Sequence, residues 1–375
     1  MVAHFARVAV LLAWSCSGAA EGRYDTRFLG ETSKLIATAR ACATRIDPWF
    51  VDDPWASYFV GGEDAVSEKL RALRGNEASL GRLAIRTRYF DGVVAEFCER
   101  HEESQVVLLG AGLDTRAQRL YLGPGCAVFA LDTKRVVAGK LACAAVRRAP
   151  LRCKSLEHVV CDLTDPAWTA ALESAPGFRR DVPTIYVAEG LLYYLEEADV
   201  AQIVSSVAAL AAPKSKLLAS LISSGALANA KGRNKVFSAF RWGVDDPLAF
   251  LRRHGCRGGT CRELGRRGLD LWWRRHPPRS KTDPAVVRPP SRFAAKAART
   301  FYVTANVGDR RGPADSAATA AVDVTWDEAA EEKLANVPFF VRCYVRRKTE
   351  EYAAARGLTV VTCDVLADAK RHHGR

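Results

Sequence analysis

The chain has 375 residues, of which 49% are hydrophobic and 26% charged, a composition that is ordinary for a globular protein with a sizeable core. No apolar run reaches the roughly 18 residues that a bilayer-spanning helix needs. The 11 cysteines form neither a C-x-x-C pair nor any other zinc-type spacing, so the sequence indicates no metal site.

The net charge of +13 is concentrated in one segment. Residues 231–299 contain 18 Lys and Arg against 5 Asp and Glu, an excess equal to the net charge of the whole chain. A basic patch of this kind can bind nucleic acid, an acidic partner or an anionic surface. The alternative is an arginine-rich insertion exposed to solvent, and the composition leaves both interpretations open.

The N-terminus has the pattern of a targeting signal. Arg7 precedes the apolar run Val8–Trp14, and small residues follow it. A basic residue, a short apolar core and small residues are typical of a signal peptide. Residues 1–22 are therefore predicted to be a signal peptide or an ordinary amphipathic leader. The odd number of cysteines, several of them inside apolar patterns, indicates a reduced, intracellular environment instead.

Two segments before the first strand have helical spacing, Thr32–Thr44 and Leu83–Arg100. Between them, the turn-rich stretch 47–56 is interpreted either as a lid or as a loop held to the core by tryptophans. In the second helix Arg86 and Arg88 interrupt the apolar face. They are candidates for binding an anionic group, because a guanidinium matches a carboxylate; the alternative is a surface pair with the nearby Asp91.

A strand followed by a glycine turn is the central feature of the chain. Val106–Leu109 is a short apolar run that ends at Gly110-Ala111-Gly112, typical of a buried parallel strand. Glycines permit a tight turn and the close approach of a ligand. Asp114 and Thr115 can cap a helix that begins there, with its free N–H groups facing the turn. A G-x-G motif alone is weak evidence for a nucleotide-binding turn, so the interpretation depends on the neighbouring residues.

Four further apolar segments alternate with helical patterns, which predicts βαβ units and a parallel sheet. They are Ala127–Leu131, His158–Cys161, Pro183–Ala188 and Lys216–Ile222. Ligands bind such sheets at the carboxyl ends of the strands. Asp132 stands at the end of the second strand, 20 residues after Gly112, the position of a residue that binds ribose hydroxyls. Acidic residues also stand at the other strand ends: Asp114, Asp162 and Glu189.

The regular alternation of predicted strands and helices ends at about residue 237. Phe240–His254 is predicted to hold a helix capped at Asp245 or Asp246, and Arg299–Val307 alternates like a strand that closes the sheet. The tail, 308–375, begins with a linker-like stretch and contains a helix and a short strand, and the sequence indicates no role for it.

Four motifs in order give the chain a resemblance to the leucine carboxyl methyltransferase family, including its bacterial S-adenosyl-L-methionine-dependent relatives. The likeness extends from about Thr32 to Ile222. The motifs are Phe50-x-Asp52-Asp53-Pro54-x-Ala56, Arg86-Thr87-Arg88-Tyr89-Phe90-Asp91, Leu109-Gly110-Ala111-Gly112-Leu113-Asp114-Thr115-Arg116 and Ala188-Glu189-Gly190-Leu191-Leu192-x-Tyr194-Leu195.

The resemblance implies an α/β class I methyltransferase fold: a Rossmann-like, doubly wound sheet of seven strands with the last strand antiparallel. The corresponding domain is 23–307, with the basic insertion at about 230–299 and a C-terminal extension at 308–375. The implied cofactor is S-adenosyl-L-methionine. Its implied binding residues are Gly110, Ala111, Gly112 and Asp114 at the turn, Asp132 at the ribose, Asp162 and Leu163 at the adenine, Glu189 and Gly190 near the amino acid end, and Arg86 and Arg88 at its carboxylate.

The family's reaction is methyl transfer to an oxygen, and in its best-known members the acceptor is a protein C-terminal carboxylate. A carboxylate needs no strong base, so no catalytic residue is assigned. A hydroxyl acceptor would need one, and Tyr193, Tyr194 and Glu189 are the candidates. A small-molecule acid, RNA or another polyanion are alternative acceptors, and a non-catalytic cofactor-binding protein is the alternative of another class. Because this cofactor is made and kept inside cells, a cytoplasmic location is favoured over secretion.

Overall fold

A seven-stranded sheet forms the centre of the computed structural model, which describes residues 26–73, 77–230, 238–266, 268–277, 298–308, 324–335, 337 and 339–373. The predicted leader, 1–22, lies outside the described residues, as do 278–297 of the basic insertion and 309–323 of the linker-like stretch. The strands are β1 (Ser104–Leu109), β2 (Gly123–Asp132), β3 (Cys153–Val160), β4 (Thr184–Ala188), β5 (Ser215–Ile222), β6 (Arg257–Glu263) and β7 (Thr300–Val307).

The strand order is β3-β2-β1-β4-β5-β7-β6. Strands β3, β2, β1, β4 and β5 lie side by side in this order and are parallel to one another. Strand β7 pairs antiparallel with both β5 and β6. Right-handed crossovers place the first strand in the middle, so the carboxyl ends of β1, β2 and β4 meet at one edge of the sheet. The predicted class I methyltransferase fold, with its antiparallel last strand, is confirmed.

Helices cover both faces of the sheet, in the described part of the chain. In chain order they are α1 (Thr26–Ile46), α2 (Gly62–Leu73), α3 (Gly81–Arg100), α4 (Arg116–Arg119), α5 (Lys134–Ala142), α6 (Ala144–Arg148), α7 (Trp168–Glu173), α8 (Glu197–Leu210), α9 (Ser224–Ala230), α10 (Pro247–Arg253), α11 (Leu271–Arg275), α12 (Glu328–Ala335), α13 (Phe339–Ala354) and α14 (Cys363–His373). None of the helices in these described ranges is long and apolar enough to cross a bilayer.

Alternation along the strands divides the core into two layers. Val106 and Leu108 of β1 face a core that includes α1, α3 and α11. Val107 and Leu109 face the opposite core, which includes α7, α8 and α10. Successive side chains of a strand point to opposite faces, so a central strand that is covered on both sides is mostly apolar on both faces. This is why an uninterrupted apolar run predicted β1.

Several predicted elements have different bounds. The helix predicted to begin after the glycine turn is only the single turn α4, and the helical segment between β2 and β3 is divided into α5 and α6. Strand β6 was not predicted: its sequence RGGTCRE is polar because its side chains are exposed at the sheet edge. The turn-rich loop 47–56 is held to the core by Phe50 rather than by Trp49, whose side chain is 67% exposed.

Asp246 is the N-cap of α10, one of the two predicted caps. Its Oδ1 accepts a hydrogen bond from the backbone N–H of Ala249 at 2.9 Å, and Pro247 occupies the first turn. We expect Asp246→Ala to lower the free energy of unfolding by about 1 kcal/mol, because the N–H group loses its partner. Asp246→Asn, which keeps an acceptor oxygen, is the control and should retain most of the stability in urea unfolding. Equal losses in both variants would contradict this role.

The C-terminal extension has a small core of its own. A two-stranded parallel sheet, β8 (Thr325–Trp326) and β9 (Val360–Val361), packs with α12, α13 and α14 around Ala330, Ala353 and Leu366. Ion pairs connect this unit to the rest of the chain, among them Arg100–Glu350 at 3.2 Å and Arg274–Glu332 at 3.0 Å.

Candidate cofactor site

Two adjoining cavities lie at the carboxyl ends of β1, β2 and β4. The first is bordered by the turn after β1, by Arg86 of α3 and by the residues that follow β4. The second is bordered by the residues that follow β2 and β3. Gly110 and Tyr194 line both cavities, so the two meet at these residues. The pair of cavities suits an elongated ligand with a polar half and a flat, partly apolar half.

The glycines of the turn are required by its geometry. Gly110 and Gly112 have φ values of +64° and +51°, which disfavour any residue with a Cβ. A Cβ on Gly110 would lie 2.9 Å from Cδ1 of Leu191, and one on Gly112 would lie 2.9 Å from Oγ of Ser33. The backbone of the turn is therefore packed between α1 and the segment after β4, with no room for a side chain.

Asp132 lies at the end of β2 and binds the turn directly. Its Oδ2 accepts a hydrogen bond from the N–H of Gly112 at 2.7 Å, and its Oδ1 accepts one from the N–H of Thr133 at 2.7 Å. The hydroxyl of Thr133 makes a longer hydrogen bond to Oδ1, at 3.4 Å. Because a carboxylate offers about four lone-pair positions, capacity remains for a further hydroxyl donor. Burial raises the pKa of the Asp132 carboxyl, and the two backbone N–H groups offset part of that rise.

Asp162 and Leu163 border the second cavity together with Thr133 and Leu195. Oδ1 of Asp162 accepts hydrogen bonds from the backbone N–H and the hydroxyl of Thr164, at 2.9 and 2.8 Å. Leu163 is buried and offers an apolar surface. This half of the site combines a flat apolar wall with acceptor groups at its rim, which suits a purine ring.

Arg86 is held by the segment that follows β4. Its Nε donates to Oε1 of Glu189 at 2.9 Å and its Nη1 donates to the hydroxyl of Tyr193 at 3.2 Å. Nη2 has no hydrogen bond to a described residue, and Arg86 borders the first cavity. A Cβ on Gly190 would lie 3.3 Å from both Nη1 and Nη2, so the absence of a side chain there leaves space beside the guanidinium. The free donor is oriented for an anionic group such as a carboxylate.

Arg88 does not border either of these cavities. Its Nη1 donates to the carbonyl oxygens of Trp49 and Phe50, at 3.0 and 3.2 Å, and its guanidinium lies over the ring of Phe50. The structure also separates both arginines from Asp91, the alternative partner, because Asp91 binds Arg116 and Arg119.

A buried charge network that borders the first cavity was not predicted from the sequence. Four arginines and four carboxylates alternate in it, and each binds at least one of the others. They are Arg40, Arg86, Arg116 and Arg119 with Asp53, Asp91, Asp114 and Glu189. The motif Asp114-Thr115-Arg116 was visible, but its partners outside the motif are 25 or more residues away in the chain, and no local pattern identifies them. Helix α1 also contributes Thr32, Ser33 and Ile36 to the cavity wall.

The three candidate bases are poorly suited to removing a proton. Burial by itself raises the pKa of Glu189, but Arg116 and Arg86 outweigh it and hold that pKa below its ordinary value. Burial raises the pKa of Tyr194. The hydroxyl of Tyr193 accepts from Arg86. Among the described residues, neither His, Cys nor Lys borders the first cavity, and no cluster of His, Cys, Asp and Glu could hold a metal ion.

The sheet order and these cavities define a class I methyltransferase. A family model described as leucine carboxyl methyltransferase matches residues 34–208. The chain is 31% identical over 252 residues to a "putative S-adenosyl-L-methionine-dependent methyltransferase" of Mycolicibacterium gilvum, covering 63% of this chain and 81% of that protein. It is 33% identical over 264 residues to a protein of that description from Mycolicibacterium smegmatis, covering 66% and 84%. The chain belongs to the leucine carboxyl methyltransferase family and is an S-adenosyl-L-methionine-dependent methyltransferase.

A second family model, described as proto-chlorophyllide reductase 57 kD subunit, matches residues 326–370. This range coincides with the C-terminal unit that has its own small core.

Proposed function

We propose that the chain transfers the methyl group of S-adenosyl-L-methionine to a carboxylate oxygen. The observation that supports this acceptor is the lack of a suitable base: in the described part of the first cavity, each candidate is ion-paired, hydrogen-bonded to an arginine or raised in pKa. A carboxylate acceptor is already ionised near neutral pH, so it needs none. A hydroxyl acceptor would have to lose its proton.

The same proposal assigns the two halves of the site. When bound, the cofactor supplies an electrophilic methyl group, and the protein's own task is to orient the reactants and exclude water. Asp132 would accept hydrogen bonds from the ribose hydroxyls, and Asp162 with Leu163 would border the adenine. Arg86 would bind the carboxylate of the amino acid end through its free Nη2. The glycine turn, an unoccupied donor and a carboxylate with spare acceptor capacity all support this fit.

An aromatic cluster offers the acceptor an apolar wall. The rings of Tyr193 and Tyr194 lie 4.6 and 5.1 Å from the ring of Phe240, between centroids. Both tyrosines also border the first cavity, beside Arg86. Aromatic rings at this position can exclude water from the transferring methyl group and hold an acceptor that has an apolar group next to its carboxylate.

The basic segment gives little support to an RNA acceptor. In its described part, six arginines each have a nitrogen within 4.0 Å of a carboxylate oxygen: Arg241, Arg262, Arg266, Arg274, Arg275 and Arg299. Binding to phosphate would have to compete with these intramolecular pairs. These pairs reduce the cationic charge that this part of the segment offers to a phosphate.

The chemical lability of the product tests the acceptor class. We expect tritium from methyl-labelled S-adenosyl-L-methionine to enter peptides with a free C-terminal leucine, or small carboxylic acids, and to be released as volatile methanol by mild alkali. Methyl ethers and methylated bases do not release methanol under these conditions. The same peptides with an amidated C-terminus are the control and should take up no label. Alkali-stable label, or label only in added RNA, would contradict a carboxylate acceptor.

A further inference from the structure

Arg116 is the centre of the buried charge network. Its Nε donates to Asp91 of α3 at 2.8 Å and its Nη2 to Oε2 of Glu189 at 2.5 Å, and its Nη1 binds Asp114. Only 3% of its side chain is exposed. The three carboxylates come from three different parts of the fold, so one guanidinium connects the helix of Arg86, the glycine turn and the end of β4.

The contact with Glu189 determines how Arg86 faces the cavity. Glu189 has two oxygens, and Arg116 occupies Oε2 while Arg86 Nε occupies Oε1. Arg86 therefore binds Glu189 through one nitrogen rather than through a bidentate fork, and its Nη2 is left for a ligand. Without Arg116, both oxygens of Glu189 would be available to Arg86, and the negative charge beside the ligand carboxylate would increase.

Arg116 also fixes the charge of its neighbours. Burial by itself raises the pKa of Asp114, but Arg116 outweighs it and the pKa lies below its ordinary value. Burial also raises the pKa of Glu189 by itself, but Arg116 and Arg86 outweigh it and this pKa too lies below its ordinary value. Both carboxyl groups are therefore ionised at neutral pH, and their negative charges face the guanidinium of Arg116.

We infer that Arg116 is a positioning residue for the amino acid end of the cofactor: by occupying one oxygen of Glu189, it keeps Arg86 directed at the ligand carboxylate. This role rests on the proposed function of the site. It predicts an effect that depends on which part of the ligand is present. S-Adenosylhomocysteine has the amino acid end, whereas 5′-methylthioadenosine has the adenosine half without it.

The test compares the dissociation constants of these two ligands by calorimetry in the full chain. We expect Arg116→Met to weaken S-adenosylhomocysteine binding about tenfold or more and to change 5′-methylthioadenosine binding by less than about twofold. Arg119→Met is the matched control. Arg119 is equally buried and binds Asp91 but not Glu189, so the ratio of the two constants should stay within about twofold of wild type.

Equal weakening of both ligands by Arg116→Met would overturn the inference, as would the same change of ratio in Arg119→Met. If Arg116→Met does not fold, Arg116→Lys serves in its place; it keeps the buried charge but lacks the fork, and an unchanged ratio would again overturn the inference. A wild-type chain that binds neither ligand would count against the proposed function. A wild-type chain that binds both, with an unchanged ratio in the variants, would count against the role of Arg116 alone.

Discussion

Arg86→Met is expected to weaken the binding of S-adenosylhomocysteine by roughly thirtyfold to several thousandfold. Arg86 borders the first cavity, and its Nη2, which has no hydrogen bond to a described residue, is the donor that the proposed binding mode assigns to the ligand carboxylate. Truncating one partner of a buried, hydrogen-bonded charge pair costs about 2–5 kcal/mol, and each 1.4 kcal/mol corresponds to about a tenfold change in affinity. Part of that cost arises because Glu189 also loses a partner.

Arg88→Met is the matched control for this experiment. It removes an arginine from the same helix, two residues further along, but from a side chain that binds the carbonyl groups of Trp49 and Phe50. We expect its affinity for S-adenosylhomocysteine to remain within about twofold of wild type, and its thermal stability to fall because these contacts are lost. Comparable losses in both variants, measured by calorimetry, would contradict the assignment of the carboxylate to Arg86.

Asp132→Ala should weaken binding of both S-adenosylhomocysteine and 5′-methylthioadenosine by about 1–3 kcal/mol, the cost of losing a charged hydrogen-bond partner. Both ligands contain the ribose, so both should be affected, in contrast to the effect of Arg116→Met. Asp165→Ala is the control, because Asp165 is exposed and its side chain only binds the N–H of Ala167 at 2.9 Å. An unchanged affinity in Asp132→Ala would mean that the ribose lies elsewhere.

The affinity for 5′-methylthioadenosine should also depend on pH through Asp132. The hydroxyl groups need an ionised carboxylate as acceptor, and burial raises the pKa of this carboxyl above its ordinary value. Binding should therefore be constant at neutral pH and weaken as the pH falls through the raised pKa, before exposed carboxyl groups titrate. In Asp132→Asn this acid limb should disappear. A wild-type affinity that is constant until the pH reaches the ordinary pKa of an aspartate carboxyl would contradict the raised pKa of Asp132.

The location of the site could be predicted because its signals are local in the chain. The apolar run Val106–Leu109 of β1 is covered on both faces, and two glycines with positive φ follow it. Asp132 and Glu189 lie at the ends of the buried strands β2 and β4, and Asp162 follows the edge strand β3. Parallel strands have their carboxyl ends at the same edge of the sheet. The alternation of strands and helices along the sequence therefore predicts that the residues at these strand ends lie close together.

The roles of Arg86 and Arg88 could not be separated in this way. Two residues on a helix differ by about 200° around its axis, so they face nearly opposite directions. The sequence shows that both interrupt an apolar face, but not which of them faces the end of β4. The packing of α3 on the sheet decides this, and it turns Arg86 toward Glu189 and Arg88 toward the loop at Phe50.

The sequence by itself therefore determined the fold class, the family and the edge of the sheet where the cofactor is proposed to bind. Each of these depends on periodicity, turn residues and motifs, which are formed by residues close together in the chain. The tertiary structure alone decided the charge network around Arg116, the contribution of α1 to the cavity wall and the position of β6. Ion pairs and edge strands depend on residues far apart in the chain. Asp91, Arg116 and Glu189 span 98 residues of sequence, yet one guanidinium holds both carboxylates within 2.8 Å.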